Sequence, residues 1–138
     1  MGYRGGLNLD FSTILNIFLF TLVGWFFYKR IAPVKGLKNL TQEKVCEKVR
    51  NGNSILVDVR ESHEFKNGYI PKAINIPLSK LKERLNEVLI DKELILYCQS
   101  GMRSKQAARI FQSKKYTDIS HLTGGISSWS GKEMYGNR

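Results

Sequence analysis

Residues 93–111 read ELILYCQSGMRSKQAARIF, and the pattern of apolar side chains changes after Cys98. Residues 93–98 form a short apolar run, as expected of a strand that is buried on both faces of a sheet. After a loop that contains Gly101, four apolar residues recur at helical spacing: Ala107, Ala108, Ile110 and Phe111. A strand that passes through a tight loop into a helix is the unit from which parallel sheets covered by helices are built.

Further strands and helices alternate along the rest of the chain. Residues 54–59, 73–76 and 119–122 have the composition of strands. Thr41 is a candidate N-cap for a helix that stops at residues 51–53. Leucine and valine recur at helical spacing between the second and third strands, at Leu78, Leu81, Leu85, Val88 and Leu89. A short last helix contains Trp129. We therefore predict an α/β fold, a mostly parallel sheet with helices on both faces.

An uncharged apolar run precedes this domain. Residues 11–28 read FSTILNIFLFTLVGWFFY, and a helix of this length is about 27 Å long, which just crosses the core of a bilayer. The alternatives are a cleavable signal peptide, a buried or interfacial helix, and a lipid anchor. A signal peptide carries its positive charge before the run, and Gly6 stands where a myristoylation motif has Ser or Thr. We therefore predict one transmembrane helix over residues 11–28.

The charges beside this run predict its orientation. The leader carries only Arg4 and Asp10, whereas basic residues follow the run at Lys29, Arg30, Lys35 and Lys38. Because basic flanks stay on the cytoplasmic side, we expect a single-pass membrane protein whose C-terminal domain is cytoplasmic. Asn16 can form a hydrogen bond with another helix in lipid. Self-association of the chain through this helix, giving a homo-oligomer, is therefore one of the alternatives.

Composition narrows the classes of protein that need to be considered. The 138 residues include 22 Lys and Arg, 12 Asp and Glu, and two cysteines, Cys46 and Cys98. This length leaves room for one compact domain, so we do not expect a multidomain enzyme. Two cysteines without a C-x-x-C pair provide neither a disulfide framework nor a cysteine zinc site. The basic excess is interspersed with acidic residues and comes without a nucleic-acid-binding motif, so we expect no nucleic-acid partner.

The loop from Cys98 to Arg103 has the features of a nucleophile in an anion-binding site. Gly101 can adopt a positive φ, which lets successive backbone N–H groups point into the loop. The following helix directs its partial positive charge at the loop, and Arg103 adds a full charge. Both effects favour the thiolate form of Cys98, the reactive form of this side chain. The alternative is that Cys98 only packs at the end of a buried strand.

Other polar residues and the second cysteine are weaker candidates. Asp58 and Arg60 follow a strand, and we expect them to brace neighbouring loops through hydrogen bonds. His63 and His121 are isolated in the sequence and provide no metal constellation, so we interpret them as structural or surface residues. Cys46 lies on an apolar helix face, where buried packing is expected.

A series of short motifs runs through residues 38–131: LVDVRE at 56–61, HE at 63–64, GYIP at 68–71, AINIP at 73–77, YCQSGMRS at 97–104, AA at 107–108, GG at 124–125 and Trp129. In this order they resemble the rhodanese family of sulfurtransferases in its single-domain form. The chain differs at Tyr69, where the family often has His, and at Lys72, where it often has Gly. Neither difference lies in the cysteine loop.

The resemblance implies a sulfurtransferase in which Cys98 is the nucleophile. Its thiolate would attack the sulfane sulfur of a small anionic donor such as thiosulfate or polysulfide, and the persulfide would pass its sulfur to a thiol or to cyanide. The substrate would be bound by the loop residues Gln99, Ser100, Gly101, Met102 and Arg103. We expect no metal and no organic cofactor.

Two other functions share parts of this pattern. A cysteine-dependent phosphatase needs a loop one residue longer between its Cys and its Arg than the loop between Cys98 and Arg103. A catalytically silent rhodanese-fold module, which binds a membrane partner or senses sulfur species, would have the same fold. The presence of Cys98, Gly101 and Arg103 favours the enzyme.

These observations divide the chain into five predicted parts. They are a leader (1–10), the transmembrane helix (11–28), a juxtamembrane linker (29–37), the rhodanese-like domain (38–132) and a tail (133–138).

Overall fold

The computed structural model describes residue 6 and residues 9–131. The chain divides between Ala32 and Pro33 into two units. Residues 132–138, which include the whole predicted tail, lie outside the described residues. So do residues 1–5, 7 and 8, which are most of the predicted leader.

Within residues 9–32, the N-terminal unit is one helix, α1, Phe11–Ile31. Its side chains are all exposed, and it is long and apolar enough to cross a membrane. The helix extends three residues beyond the predicted span and takes in Lys29 and Arg30. It ends there because Ala32 precedes Pro33, and a residue before proline is driven into the extended conformation that Ala32 adopts.

The second unit is built on a five-stranded sheet. Its strands are β1 Lys38–Leu40, β2 Ser54–Asp58, β3 Ile74–Asn75, β4 Glu93–Tyr97 and β5 Ile119–Leu122. They lie in the order β1-β5-β4-β2-β3, and every neighbouring pair is parallel. The carboxyl ends of the strands therefore meet at one edge of the sheet, where parallel sheets bind their ligands.

Helices and short 3₁₀ turns connect the strands. The helices are α2 Gln42–Asn51, α3 Ser62–Lys66, α4 Leu81–Arg84 and α5 Met102–Ser113. The 3₁₀ helices are Leu78–Lys80, Leu85–Glu87 and Gly125–Ser128.

The sheet separates two apolar cores, because neighbouring strand side chains point to opposite faces. Leu96 of β4 belongs to one core together with Phe111 of α5. Ile95 of the same strand belongs to the other core together with Val45 of α2. The fold is therefore the predicted α/β arrangement, a mostly parallel sheet with helices on both faces.

One strand was not predicted, and two local predictions were wrong. Strand β1 was missed because its three residues, Lys-Asn-Leu, have no apolar run and owe their strand conformation to pairing with β5. Residues 78–89 form a 3₁₀–α–3₁₀ series instead of one helix, and Leu89 is exposed because the series stops before the extended Val88. Trp129 follows the last 3₁₀ helix instead of lying within it.

Candidate active site

Cys98 lies at the carboxyl end of the central strand β4. The strand ends at Tyr97, and α5 begins at Met102, so Cys98 opens a short loop between the two. Gly101 is the N-cap of α5 and adopts a φ of +104°, which only glycine reaches without strain. Cys98 is 1% exposed, so its sulfur lies at the base of the loop. The predicted loop geometry around the cysteine is therefore present.

Two groups of the protein approach the sulfur. The backbone N–H of Gly101 donates a hydrogen bond to Cys98 Sγ over 3.0 Å, and Ser104 Oγ lies 3.9 Å from the same atom. The Gly101 N–H interacts more strongly with a thiolate than with a thiol, whereas Ser104 Oγ is placed to accept the thiol proton. The amino-terminal end of the twelve-residue helix α5 faces the same loop and has the same electrostatic effect as the Gly101 N–H.

The turn of residues 124–128 is hydrogen-bonded to the backbone of the cysteine loop. Ile126 N–H donates to Cys98 O over 2.8 Å, and Ser127 N–H donates to Gln99 O over 3.1 Å. Gly125, with a φ of +64°, lies so close that a Cβ there would be 2.6 Å from the carbonyl carbon and oxygen of Gln99. Gly125 of the GG motif is therefore required where two backbone segments touch.

Arg103 is paired with an acidic side chain. Its Nη1 and Nη2 donate to the two carboxylate oxygens of Glu64 over 2.7 and 2.8 Å. Glu64 also accepts a hydrogen bond from the backbone N–H of Glu61 over 3.0 Å. The hydrogen bond from Arg103 lowers the pKa of Glu64 from 4.5 to about 2. The positive charge predicted for the loop is therefore present, but a carboxylate from α3 partners it.

Asp58 and Arg60 brace the loops beside the cysteine, as the sequence predicts. Arg60 Nη2 donates to Asp58 Oδ2 and to Gly68 O, each over 2.7 Å, and both side chains are buried. The hydroxyl of Tyr97 accepts a hydrogen bond from the backbone N–H of Ile70 over 3.1 Å. Burial and the charge of Asp58 raise the pKa of Tyr97. This network ties the residues after β2 to the end of β4.

The side chains of the predicted substrate-binding loop point in different directions. Gln99, Ser100 and Met102 are exposed, and Gln99 Nε2 donates to Ser127 Oγ over 2.9 Å. Of the predicted loop, Gly101 contacts the sulfur through its backbone, and Arg103 contacts Glu64. The loop therefore presents polar groups both to the sulfur and to solvent.

A cleft of about 500 Å³ lies beside the loop. It is lined by Arg60, Glu64, Asn67, Gly68, Gln99, Ile126, Ser127 and Trp129. These residues come from three segments at the carboxyl edge of the sheet, so the cleft is suited to a substrate that reaches the cysteine loop. Among residue 6 and residues 9–131, no three His, Cys, Asp or Glu side chains are grouped so that they could hold a metal ion.

Sequence reasoning missed a series of polar contacts that begins at Ser104, beside Cys98. Ser104 Oγ lies 3.0 Å from His121 Nδ1, and His121 Nε2 lies 2.7 Å from Asn39 Oδ1. Burial, and to a smaller degree the charge of Lys105, lower the pKa of His121. Only the position of Ser104, directly after Arg103, was a usable signal, because Asn39 lies on the strand that was not predicted. His63, by contrast, is exposed on α3.

Cys46 is half-buried, which differs from the full burial expected of it. It lies on α2 at a separate cavity of about 210 Å³, whose other lining residues include Val49 and Leu56. Its neighbour Val45 occupies the fully buried position of the helix face.

Comparison with known proteins identifies the family of this domain. The sequence model of the rhodanese-like domain family matches residues 41–132. The uncharacterized protein YqhL of Bacillus subtilis is 38% identical over 125 residues, which are 91% of this chain and 94% of YqhL. A sulfurtransferase of Allochromatium vinosum is 36% identical over 76 residues, 55% of this chain and 71% of the relative. The structure of the human single-domain sulfurtransferase TSTD1 superimposes with a TM-score of 0.63 and 28% identity, covering 70% of this chain and 97% of TSTD1.

Proposed function

Because this chain belongs to the rhodanese-like domain family of sulfurtransferases, we propose that it transfers sulfane sulfur through a persulfide on Cys98. The observation that carries this proposal is the position of Cys98 at the start of a loop whose Gly101 N–H lies 3.0 Å from the sulfur. A donor at this position stabilises a thiolate before the reaction and an anionic persulfide after it.

The reaction is two successive displacements at sulfur. The Cys98 thiolate attacks the outer sulfur of the donor, the sulfur–sulfur bond of the donor breaks, and the electron pair of that bond leaves as sulfite from thiosulfate or as a shortened polysulfide. A thiolate or cyanide then attacks the outer sulfur of the persulfide, and the electron pair returns to Cys98. Electrons balance over the two steps, so neither an outside oxidant nor a reductant is needed.

The loop residues have separate roles in this proposal. Backbone N–H groups between Gln99 and Arg103 bind the donor anion, as in other loops that precede a helix. Exposed Gln99, Ser100 and Met102 border the approach to the loop. Arg103 contributes its charge while Glu64 holds it in place.

We also propose that residues 11–28 anchor the chain in a membrane, with the rhodanese-like domain of residues 38–132 in the cytoplasm. The support is the apolar helix α1 with Lys29 and Arg30 in its last turn. Self-association through this helix would place two such domains at the same membrane surface.

Mass spectrometry of the intact full chain tests the proposed function. Incubation with thiosulfate or polysulfide should add the mass of sulfur at Cys98, and cyanide or a thiol should then remove it. The Cys98→Ser variant should take up none, because the hydroxyl is not a comparable nucleophile. Cys46→Ser is the matched control and should load like the wild type. If the folded wild-type chain takes up no sulfur from any donor, the chain is a catalytically silent binding or sensing module.

A further inference from the structure

A chain of polar contacts leads from the reactive sulfur to the edge of the sheet. It runs from Cys98 Sγ to Ser104 Oγ over 3.9 Å, to His121 Nδ1 over 3.0 Å, and from His121 Nε2 to Asn39 Oδ1 over 2.7 Å. Ser104 and His121 are 0% and 3% exposed, whereas Asn39 is exposed on β1. The chain therefore connects a buried thiol to a surface position through a buried imidazole.

The acceptor at the outer end sets the direction of the hydrogen bonds. Asn39 Oδ1 is a carbonyl oxygen and only accepts, so the proton of the neutral imidazole is assigned to Nε2 of His121. Nδ1 is then an acceptor for the hydroxyl of Ser104, and an oxygen lone pair of Ser104 can accept from the thiol of Cys98. Ser104 Oγ can alternatively donate to Gly101 O, 2.9 Å away. The hydroxyl proton of Ser104 can therefore be donated to His121 Nδ1 or to Gly101 O.

We propose that His121 accepts the proton of Cys98 through Ser104 and thereby generates the attacking thiolate. The S–H bond breaks and its electron pair stays on sulfur, while Ser104 receives this proton and passes its own to Nδ1 of His121. The resulting imidazolium donates to Ser104 Oγ and to Asn39 Oδ1, and the hydroxyl of Ser104 turns its proton to the thiolate or to Gly101 O. When the acceptor displaces Cys98 from the persulfide, Nδ1 of His121 returns its proton through Ser104 to the sulfur of Cys98, which restores the starting state. This inference rests on the proposed function, for which it supplies the nucleophile.

The surroundings of His121 suit a proton acceptor. On β1 its neighbour is the neutral Asn39, and on β4 its partner in register is the apolar Leu96. The charged group that acts on it is Lys105 on α5, and the thiol of Cys98 at the end of β4 is connected to it through Ser104. Burial and the charge of Lys105 lower the pKa of His121, which keeps Nδ1 unprotonated before the step, while Asn39 Oδ1 and the thiolate formed in the same step stabilise the imidazolium. Acting through Ser104, His121 is a positioning residue for the thiol.

The pH dependence of Cys98 alkylation tests this proposal without any sulfur donor. The protein is the full chain in detergent micelles, with Cys46→Ser so that iodoacetamide reports on Cys98. His121→Gln keeps a hydrogen-bonding side chain that cannot take up a proton, so the midpoint of the alkylation profile should rise by about one pH unit, with a roughly tenfold slower rate at pH 7. Ser104→Ala should have the same effect, and the double variant should add little, since both changes break one path. The exposed His63→Gln is the control and should leave the profile unchanged.

Asn39→Asp gives the opposite sign. A carboxylate at this exposed position makes the imidazole more basic, so the midpoint should fall. This variant leaves the buried residues intact and remains decisive if His121→Gln does not fold. Wild-type profiles for folded His121→Gln and Ser104→Ala, additive effects in the double variant, or a shift for Asn39→Asp in the same direction as His121→Gln would overturn the proposal. A failure of sulfur loading with these alkylation shifts intact would instead reject the proposed function alone.

Discussion

Glu64 reduces the net positive charge of the cysteine loop, because its carboxylate is paired with Arg103. Its carboxylate forms two hydrogen bonds with Arg103, and the pair is part-buried, with the two side chains 24% and 31% exposed. A charge held in this way positions the loop, but it attracts a dianion less than an unpaired guanidinium would.

Glu64→Gln should therefore change donor preference. Removing the carboxylate charge leaves Arg103 available to thiosulfate, so we expect kcat/KM for thiosulfate to rise by about threefold or more relative to that for an uncharged thiosulfonate ester. Steady-state kinetics with both donors measure this ratio. Glu83→Gln, at an exposed position of α4, removes the same charge elsewhere and should leave the ratio unchanged. An unchanged ratio in Glu64→Gln would show that Arg103 does not meet the donor.

The same ion pair predicts how stability depends on pH. The carboxyl of Glu64 titrates near 4.5 in the unfolded chain and near 2 in the folded protein, so the unfolded state binds the proton first as the pH falls. The contribution of the pair is therefore complete above about pH 4.5 and is lost towards pH 2. Thermal unfolding of the full chain between pH 6 and pH 2 should show a smaller decrease for Glu64→Gln than for the wild type. Parallel curves for the two proteins would contradict this assignment.

At the scale of elements, the contact between the turn of residues 124–128 and the loop after β4 sets the shape of the site. Gly125 allows this contact, because a Cβ would overlap Cys98 O and come within 2.6 Å of Gln99 backbone atoms. Backbone atoms in two hydrogen-bonded segments cannot move apart cheaply, so the overlap would displace the cysteine loop.

Gly125→Ala should thus lower both stability and the reactivity of Cys98. We expect a loss of about 2–4 kcal/mol in the free energy of unfolding, from the left-handed backbone and from the overlap together. The matched control is Gly52→Ala, because Gly52 has a φ of +76° but nothing within 4 Å of its Cβ position. It should lose only the backbone part, about 1–2 kcal/mol, and keep the wild-type rate of Cys98 alkylation. Equal losses for the two variants would argue against the overlap.

At the scale of the whole molecule, the apolar helix α1 and its basic flank predict that the chain is held in a membrane and on which side the domain lies. The chain should sediment with membranes and remain there after high-salt and carbonate washes, since α1 presents an apolar surface of bilayer length. If the domain is cytoplasmic as proposed from its basic flank, a C-terminal fusion to a fluorescent protein should fluoresce, and a fusion to alkaline phosphatase should be inactive. Release of the chain by salt, or an active phosphatase fusion, would contradict the anchor or its orientation respectively.

The amino-acid sequence by itself determined the features that depend on neighbouring residues. The buried strand β4, the loop with Gly101 at positive φ, the helix α5 and the apolar helix α1 are all visible in local patterns, because periodicity and glycine placement reflect forces within one element. The position of Cys98 at the carboxyl end of a strand follows from the same patterns, whereas the central place of that strand in the sheet does not. These features were sufficient for the fold class, and they carry the prediction that Cys98 is the nucleophile.

The tertiary structure alone brought the partners of the site together. Glu64 and Arg103 are 39 residues apart in the sequence, Ser104 and His121 are 17 apart, and His121 and Asn39 are 82 apart. The contacts of His121 depend on the strand order β1-β5-β4, which places the first strand of the domain beside the last, and the contact of Glu64 with Arg103 depends on the pairing of β2 with β4. No local pattern specifies that order, because it results from how distant elements bury their apolar faces on a common sheet.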